Sequence, residues 1–197
     1  DYIKKDKYNP IRLDKSGVYY NKTKICSREI KLDKNFARVL GYYMAEGCAP
    51  RHIALTFGSH EKNLIKEFVE AGKKVFPSNF IIQERIRNNK KQNSTDIFFG
   101  ARMLGRIFKK WFNSGAKNKK IPDFVFSANE DFKLNFLTSY INGDGHAEKN
   151  NLMRRLRIKT ASKKLASDLI YLGIQLGICI KFDHIQIDKR KLIAGNK

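Results

Sequence analysis

Two helix-like stretches of apolar and small residues, each ending in an acid followed by glycine, constrain this chain more than any other feature. The first, LGYYMAEG, runs from Leu40 to Gly47, and the second, LTSYINGDG, runs from Leu137 to Gly145. In each stretch two small residues stand four positions apart, so they share one face of a helix. Small residues at that spacing let two helix backbones approach closely. We therefore predict two buried helices packed against each other.

The acids Glu46 and Asp144 follow these small residues directly, at the carboxyl ends of the predicted helices. A carboxylate there opposes the helix dipole, at a cost of a few tenths to about 1 kcal/mol. Parallel packing would also bring the two negative charges together. A divalent cation such as Mg²⁺ between them would remove both costs, because carboxylate and carbonyl oxygens are its preferred ligands. The predicted helix interface consists of Gly41, Ala45, Ser139 and Gly143, and the predicted metal ligands are Glu46, Asp144 and the backbone carbonyl groups of Ala45 and Gly143.

The charge of the chain indicates a polyanionic partner. The 197 residues include 40 Lys and Arg against 19 Asp and Glu, which gives a net charge of +21 and a pI of about 10.0. Nucleic acid is the first candidate partner, although ribosomal proteins and proteins that bind anionic membranes share this composition. Two converging acids, a metal and a basic surface together suggest metal-assisted phosphodiester hydrolysis.

Several other classes of protein are disfavoured. No apolar run approaches the ~20 residues of a membrane span, so no membrane association is predicted. The first ten residues carry charge without a following apolar core, unlike a signal peptide. Three widely spaced cysteines, without a CxxC pair, indicate reduced thiols and neither a zinc site nor a disulfide framework. We expect an intracellular protein, in the cytoplasm or nucleoid, or in an organelle of a eukaryote.

The predicted elements repeat in the order helix, strand, helix, strand. Within this order we predict a strand or hairpin in residues 17–26, a helix that opens at Ser59, a capping box from Ser127 to Glu130 and a strand over 178–187. The second unit lacks a counterpart of the helix predicted at 101–112, so it is shorter or truncated. The predicted domains are an N-terminal extension (1–32), a first repeat (33–126) and a second repeat (127–197).

At these residues the sequence resembles the LAGLIDADG homing endonucleases of inteins and archaeal introns. VLGYYMAEG (39–47) and LTSYINGDG (137–145) are similar to the two motifs of that family. KNKKIPDFVF (117–126) resembles its Lys-x-Ile-Pro block, and TASKKLASDLIYLGIQLGI (160–178) resembles the block that follows the second motif. All four occur in the family's order.

The resemblance implies an α+β fold of two pseudo-symmetric αββαββ repeats. In such a fold the motif helices form the central interface, and two curved antiparallel sheets form a saddle over DNA. It also implies a monomer that cuts both strands of a long, asymmetric double-stranded DNA site and leaves 3′ overhangs. The implied cofactor is Mg²⁺, with Mn²⁺ substituting and Ca²⁺ binding without supporting cleavage. No splicing signature is found at either end of the chain, so an excised endonuclease domain or a free-standing enzyme is expected.

The resemblance also implies roles for single residues. Glu46 and Asp144 correspond to the family's metal-binding acids. Lys119 matches the basic residue of the Lys-x-Ile-Pro block, which polarises the phosphate or tunes the attacking water. Lys120 is the alternative if the alignment slips by one position. The second half offers only Lys159 and Lys181 as guesses for a corresponding lysine.

Basic residues at alternate strand positions are candidate DNA contacts, because alternate side chains share one face of a strand. Arg and Gln there can read guanine and adenine edges in the major groove, although a solvated basic face is nearly as good an explanation for any one of them. The candidates are Gln83, Arg85 and Arg87 in the first half, Arg155, Arg157 and Lys159 in the second, Lys90 and Lys91 as phosphate contacts, and Lys181.

Two alternatives remain open at the level of sequence. The same scaffold could serve a DNA-binding regulator that does not cut, or an RNA maturase that aids intron splicing. A general basic RNA-binding protein would leave the duplicated acid-ended helices unexplained.

Overall fold

The computed structural model describes residues 12–13, 19–21, 24–26, 29–49, 52–76, 80–82, 94–100, 102–150, 153–181 and 183. The helices are α1 (Lys34–Glu46), α2 (Lys62–Val75), α3 (Arg102–Phe112), α4 (Asp123–Ser127), α5 (Glu130–Asp144) and α6 (Lys163–Gln175), with a 3-10 turn at Ala116–Asn118. The strands are β1 (Arg12–Leu13), β2 (Tyr19–Asn21), β3 (Lys24–Cys26), β4 (Gly47–Cys48), β5 (Ile53–Gly58), β6 (Phe80–Ile82), β7 (Ser94–Phe99), β8 (Gly145–Asn150) and β9 (Met153–Ile158). The chain is therefore an α+β protein, as predicted.

The strands form three antiparallel sheets within the described residues. The largest has the order β4-β5-β7-β6, and its central pair is in register from Ile53 opposite Phe99 to Gly58 opposite Ser94. Strands β8 and β9 form a two-stranded sheet, and β1, β2 and β3 form a small meander. The pairing of β2 with β3 confirms the hairpin predicted in residues 17–26.

The core lies around α1, which is buried along most of its length. Aromatic rings from both halves of the chain converge there, because Phe36 of α1 packs edge-on against Phe76, Trp111 and Phe132. Edge-to-face aromatic pairs add about 0.5–1.5 kcal/mol each beyond the area they bury. This packing holds α1 against α2, α3 and α5 and leaves the carboxyl ends of α1 and α5 near the surface.

Two predicted helix starts are wrong. Helix α2 does not open at Ser59, because the turn after β5 continues to Glu61, whose carboxylate accepts a 2.6 Å hydrogen bond from the Gly58 amide. The capping box at Ser127 is also wrong, since Ser127 ends α4. The N-cap of α5 is Asn129, whose side chain accepts from the Phe132 amide.

The strand predicted over 178–187 does not begin at residue 178. Helix α6 ends in a Schellman motif, in which the Gly177 amide donates to Ile174 and the Ile178 amide donates to Gly173. Gly177 has φ +68°, which glycine adopts without strain. Because the motif uses the Ile178 amide, that residue is not free for sheet pairing, and residues 178–181 belong to no strand. Residues 182 and 184–187 lie outside the described residues.

Candidate active site

Helices α1 and α5 pack side by side in parallel. Residues near the start of α1 contact residues near the start of α5, and residues near the end of α1 contact residues near the end of α5. The contacting pairs, in chain order, are Phe36 with Phe132, Arg38 with Asn135, Gly41 with Ser139 and Ala45 with Gly143. The four residues predicted from the small-residue spacing are thus brought together in two pairs. Because the helices point the same way, both carboxyl ends reach the same place.

The small residues are required by the closeness of the two backbones. A Cβ built on Gly41 would lie 2.8 Å from the Cβ of Ser139 and would overlap the carbonyl oxygen of Phe136. A Cβ on Gly143 would lie 2.6 Å from the Cβ of Ala45. Nonbonded carbon atoms prefer about 3.5–4.0 Å. Any larger residue at these glycines would therefore push the helices, and the acids at their ends, apart.

Each acid stands at a junction where a helix passes directly into a strand. Gly47 and Gly145 have extended backbones, and their amides donate to the carbonyl groups of Tyr43 and Ile141. A Cβ on either glycine would overlap that same carbonyl oxygen. Glycine is needed here for a close approach of the backbone and not for a positive φ angle. Because no loop separates the helix from the strand, the position of each acid is fixed by both elements.

The two acids share an electrostatically unfavourable position. The pKa of Glu46 is raised to about 7, mainly by partial burial and then by the charges of Asp144 and Glu61, while Lys119 opposes them. Partial burial also raises the pKa of Asp144, against the lowering effects of Lys119 and Tyr140. Glu61, at the start of α2, is thus a third negative charge near the site that sequence reasoning missed.

Lys119 lies at the carboxyl end of α1. Its ammonium group donates to the carbonyl oxygens of Met44 at 2.6 Å and Ala45 at 3.2 Å. Burial lowers the pKa of Lys119, while Asp144 and Glu46 hold it up. A cation here neutralises the negative end of the helix dipole, and it also occupies one side of the Ala45 carbonyl that was predicted as a metal ligand.

The structure distinguishes between the two candidate lysines. The ammonium of Lys120 lies 3.8 Å from the carboxylate of Asp123, away from the paired acids, and its amide donates to the Phe112 carbonyl. Neighbouring residues in this extended segment point their side chains in opposite directions, so only Lys119 reaches the helix ends. Which of the two acts in a reaction stays a prediction.

Two tyrosines at matching motif positions have different surroundings. Tyr42 donates a 2.6 Å hydrogen bond to the carboxylate of Glu67 in α2, and the guanidinium group of Arg38 lies 3.4 Å from the same carboxylate. Tyr140 is fully buried, and its hydroxyl makes no hydrogen bond of ordinary geometry in the part of the chain that the structure describes, although it lies near enough to Asp144 to lower the pKa of that carboxyl. Its pKa is raised by burial first and then by the charge of Asp144, one helical turn away. Sequence analysis assigned no role to either hydroxyl.

The donor atoms at the helix ends fit a hard divalent cation. Burial raises the pKa of Glu46 first and the charge of Asp144 raises it second, and a cation between the two carboxylates would remove that second effect. Among the described residues no group of three or more His, Cys, Asp or Glu side chains is placed to hold a metal. Any cation would therefore need backbone oxygen, water or a phosphate to complete its shell.

The predicted DNA contacts are only partly described. Gln83, Arg85, Arg87, Lys90 and Lys91 lie outside the described residues. Strand β9 carries the remaining arginines, with Arg155 opposite Glu148 and Arg157 opposite His146.

Arg157 is exposed, as is Lys159, which follows β9. Lys181 is exposed too and lies 3.7 Å from Asp183. The DNA-binding role of these residues stays a prediction.

No helix within the described ranges combines the length and the apolar character that a bilayer crossing requires. Most of the Lys and Arg side chains in the described part are exposed.

Sequence comparison identifies one family and several longer relatives. Residues 131–192 match a family model described as a LAGLIDADG-like domain. An uncharacterized protein of Methanocaldococcus jannaschii, MJ1054, is 34% identical over 164 residues, which cover 76% of this chain and 18% of that protein. A DNA polymerase of Thermococcus aggregans is 30% identical over 157 residues, which cover 76% of this chain and 8% of the polymerase. This chain thus spans less than a fifth of either relative.

Structural comparison gives the same fold. The crystal structure of I-DmoI in complex with DNA and Mn superposes with a TM-score of 0.55 at 15% identity, covering 82% of this chain and 86% of that one. The N-terminal LAGLIDADG domain of WhiA superposes with a TM-score of 0.50 at 15% identity, covering 84% of this chain and 81% of that domain. At these identities the likeness concerns the fold.

Proposed function

This chain is a LAGLIDADG-fold protein, and on that premise we propose that it is a site-specific double-strand DNA endonuclease that depends on a divalent metal. The observation that carries the proposal is the convergence of Glu46, Asp144 and Lys119 at the carboxyl ends of two parallel helices. A structural helix pair gains nothing from two acids in this place, because the charge of Asp144 adds to the cost of ionising the partly buried Glu46. The arrangement is explained by a cation and a phosphate that bind there.

Glu46 and Asp144 would hold the cation, with backbone oxygen at the helix ends assisting. A divalent cation in this position supplies Lewis-acid activation of water and neutralises charge on the phosphate. Mg²⁺ is the proposed cofactor, and the Mn in the I-DmoI complex supports a divalent ion of this class.

Lys119 would place a positive charge beside the scissile phosphate. In the hydrolysis, a water oxygen adds to phosphorus while the bond from phosphorus to the 3′ oxygen breaks, leaving a 3′-hydroxyl and a 5′-phosphate. Negative charge grows on the phosphoryl oxygens in the transition state, and a fixed ammonium group stabilises it without reorganisation. The water proton passes to solvent or to a carboxylate.

The proposed architecture is a pair of αββαββ repeats, at 33–126 and 127–197, whose sheets form a saddle over DNA. Helices α1 and α5 are the central pair, followed by β4–β5 in the first half and β8–β9 in the second. The chain would act as a monomer inside the cell, where its DNA substrate is found. Because it spans a small part of its longer relatives, an origin within an intein or an intron is part of the proposal.

The test is cleavage of a randomised duplex library in Mg²⁺ or Mn²⁺, with the cut ends captured and sequenced. Wild type should yield one long site with 3′ overhangs, while Glu46→Gln and Asp144→Asn bind that duplex without cutting it. Wild type that binds duplex DNA but never cuts it in any divalent metal would overturn the nuclease assignment and favour a regulator or a maturase.

Lys119→Met and Lys120→Met form a matched pair for the same assay, since the residues are adjacent and both lose one charge. Lys119→Met should slow cleavage by about 100-fold, the scale of losing one transition-state donor. Lys120→Met should slow it far less. Equal slowing by both variants would indicate that the positive charge of the segment matters and that the position of the Lys119 ammonium group does not.

A further inference from the structure

Two hydrogen bonds from residues of helix α6 and its N-cap hold the segment that carries Lys119. The Ser162 hydroxyl donates a 2.6 Å hydrogen bond to the carbonyl oxygen of Lys119. The carboxylate of Asp168 accepts a 3.0 Å hydrogen bond from the amide of Ile121. The two bonds hold the backbone directly after Lys119 at two successive points, and both partners belong to a helix 40 or more residues further along the chain.

Ser162 does more than cap its helix. Its oxygen accepts from the Leu165 amide at 3.1 Å, which is the ordinary work of an N-cap residue. Aspartate would cap α6 equally well, but it could not donate to the Lys119 carbonyl. Ser162 is 1% exposed, so a lost donor could not be replaced by water without rearrangement.

Asp168 is a buried carboxylate in the middle of a helix, a position that normally disfavours charge. It is 4% exposed, and its two described partners are the Ile121 amide and the ammonium group of Lys164. Ile121 is itself 1% exposed. An apolar residue at position 168 would leave the buried Ile121 amide unpaired, which destabilises this segment locally.

We propose that Ser162 and Asp168 are positioning residues for Lys119. They fix the backbone from which the Lys119 side chain extends to Met44 and Ala45, and so determine where its charge lies relative to the paired acids. This inference rests on the endonuclease activity proposed above. Ser162 and Asp168 act through Lys119, so their contribution to the rate disappears when Lys119 is removed.

Amide hydrogen exchange of the full chain, without metal or DNA, tests the anchoring by itself. Exchange at Ile121 should be at least tenfold faster in Asp168→Ala and in Ser162→Ala, and unchanged in Asp168→Asn and Ser162→Thr, which retain the acceptor and the donor. Ser167→Ala is the control, because Ser167 is exposed and donates only to Lys163 within the same helix. Unchanged exchange at Ile121 in Asp168→Ala would overturn the anchoring.

Single-turnover cleavage of the selected duplex tests the link to Lys119. Ser162→Ala and Asp168→Ala should slow cleavage by about 10- to 100-fold, the cost of a small misplacement, with DNA affinity unchanged. In the Lys119→Met background neither variant should slow it further. Slowing by the same factor in both backgrounds would overturn the positioning role and leave a structural one. Absence of wild-type cleavage would overturn the endonuclease proposal, while hydrogen exchange still decides the anchoring.

Discussion

Gly143 of α5 faces Ala45 of α1 so closely that one methyl group fills the space between the two backbones. A Cβ on Gly143 would lie 2.6 Å from the Cβ of Ala45. Glu46 and Asp144 are the next residues along each helix, so this contact sets the separation of the acids. A change of one methyl group here should affect both stability and activity.

Gly143→Ala should destabilise the fold by about 1–3 kcal/mol, the usual cost of overpacking a tight contact. Alanine otherwise favours a helix interior by about 1 kcal/mol over glycine, so a loss identifies the helix contact as the cause. Denaturant unfolding measures it, with exposed Thr138→Ala on the same helix as the control. Adding Ala45→Gly should restore stability, because one methyl group again lies between the helices. Failure of that second change to restore it would contradict the contact.

Tyr42→Phe and Tyr140→Phe should differ in their effect on the free energy of unfolding, although each removes the same hydroxyl oxygen. Tyr42→Phe should cost about 1 kcal/mol, because Glu67 loses a donor but stays partly solvated. Tyr140→Phe should be close to neutral, since its buried hydroxyl has no described partner to lose. Unfolding free energies of the two variants measured side by side check this. A larger loss in Tyr140→Phe would point to a bond between its hydroxyl and Asp144.

The ionisation of Glu46 should destabilise the metal-free protein as the pH rises through the range from about 4.5 to 7. The pKa of Glu46 is raised from 4.5 to about 7 in the fold, so ionisation there costs folding free energy. Below 4.5 the group is neutral in both states, and above 7 the full penalty applies. After allowance for solvent screening the penalty is about 1 kcal/mol.

Glu46→Gln should remove the contribution of Glu46, since glutamine carries no charge at any pH, while the contribution of Asp144 is present in both proteins. Urea unfolding of both proteins in EDTA at pH 5 and pH 8 measures the difference. Relative to wild type, the variant should have a higher free energy of unfolding at pH 8 but not at pH 5. An identical change for both proteins between the two pH values would contradict the raised pKa.

Mg²⁺ should stabilise wild type at pH 8 without any DNA present. A ligand at 100 times its dissociation constant adds about 2.7 kcal/mol to the free energy of unfolding. The melting temperature should therefore rise with Mg²⁺ in wild type and fall back after chelation. It should respond weakly in Asp144→Asn, which keeps the size of the side chain but loses its charge. Equal stabilisation of both proteins would place the ion elsewhere.

The amino-acid sequence by itself determined the central helix pair and the acids at its ends. Gly41, Ala45, Ser139 and Gly143 could be predicted to meet, because helix periodicity is local and small residues at that spacing leave a face on which a second helix fits. The hairpin of β2 and β3 could also be predicted, because the alternation of residues along a strand is likewise a local pattern. Local pattern failed at Ser59, where the turn after β5 continues to Glu61, and at Ser127, where the Asn129 side chain caps α5 instead.

Only the tertiary structure decided which lysine reaches the acids and what holds it there. Lys119 and Lys120 are adjacent and chemically identical, so their difference comes from the direction in which each side chain leaves the backbone. That direction is set by Ser162 and Asp168, which lie 43 and 47 residues from their partners in the chain. Contacts across such separations depend on how whole helices pack, and no local pattern encodes them.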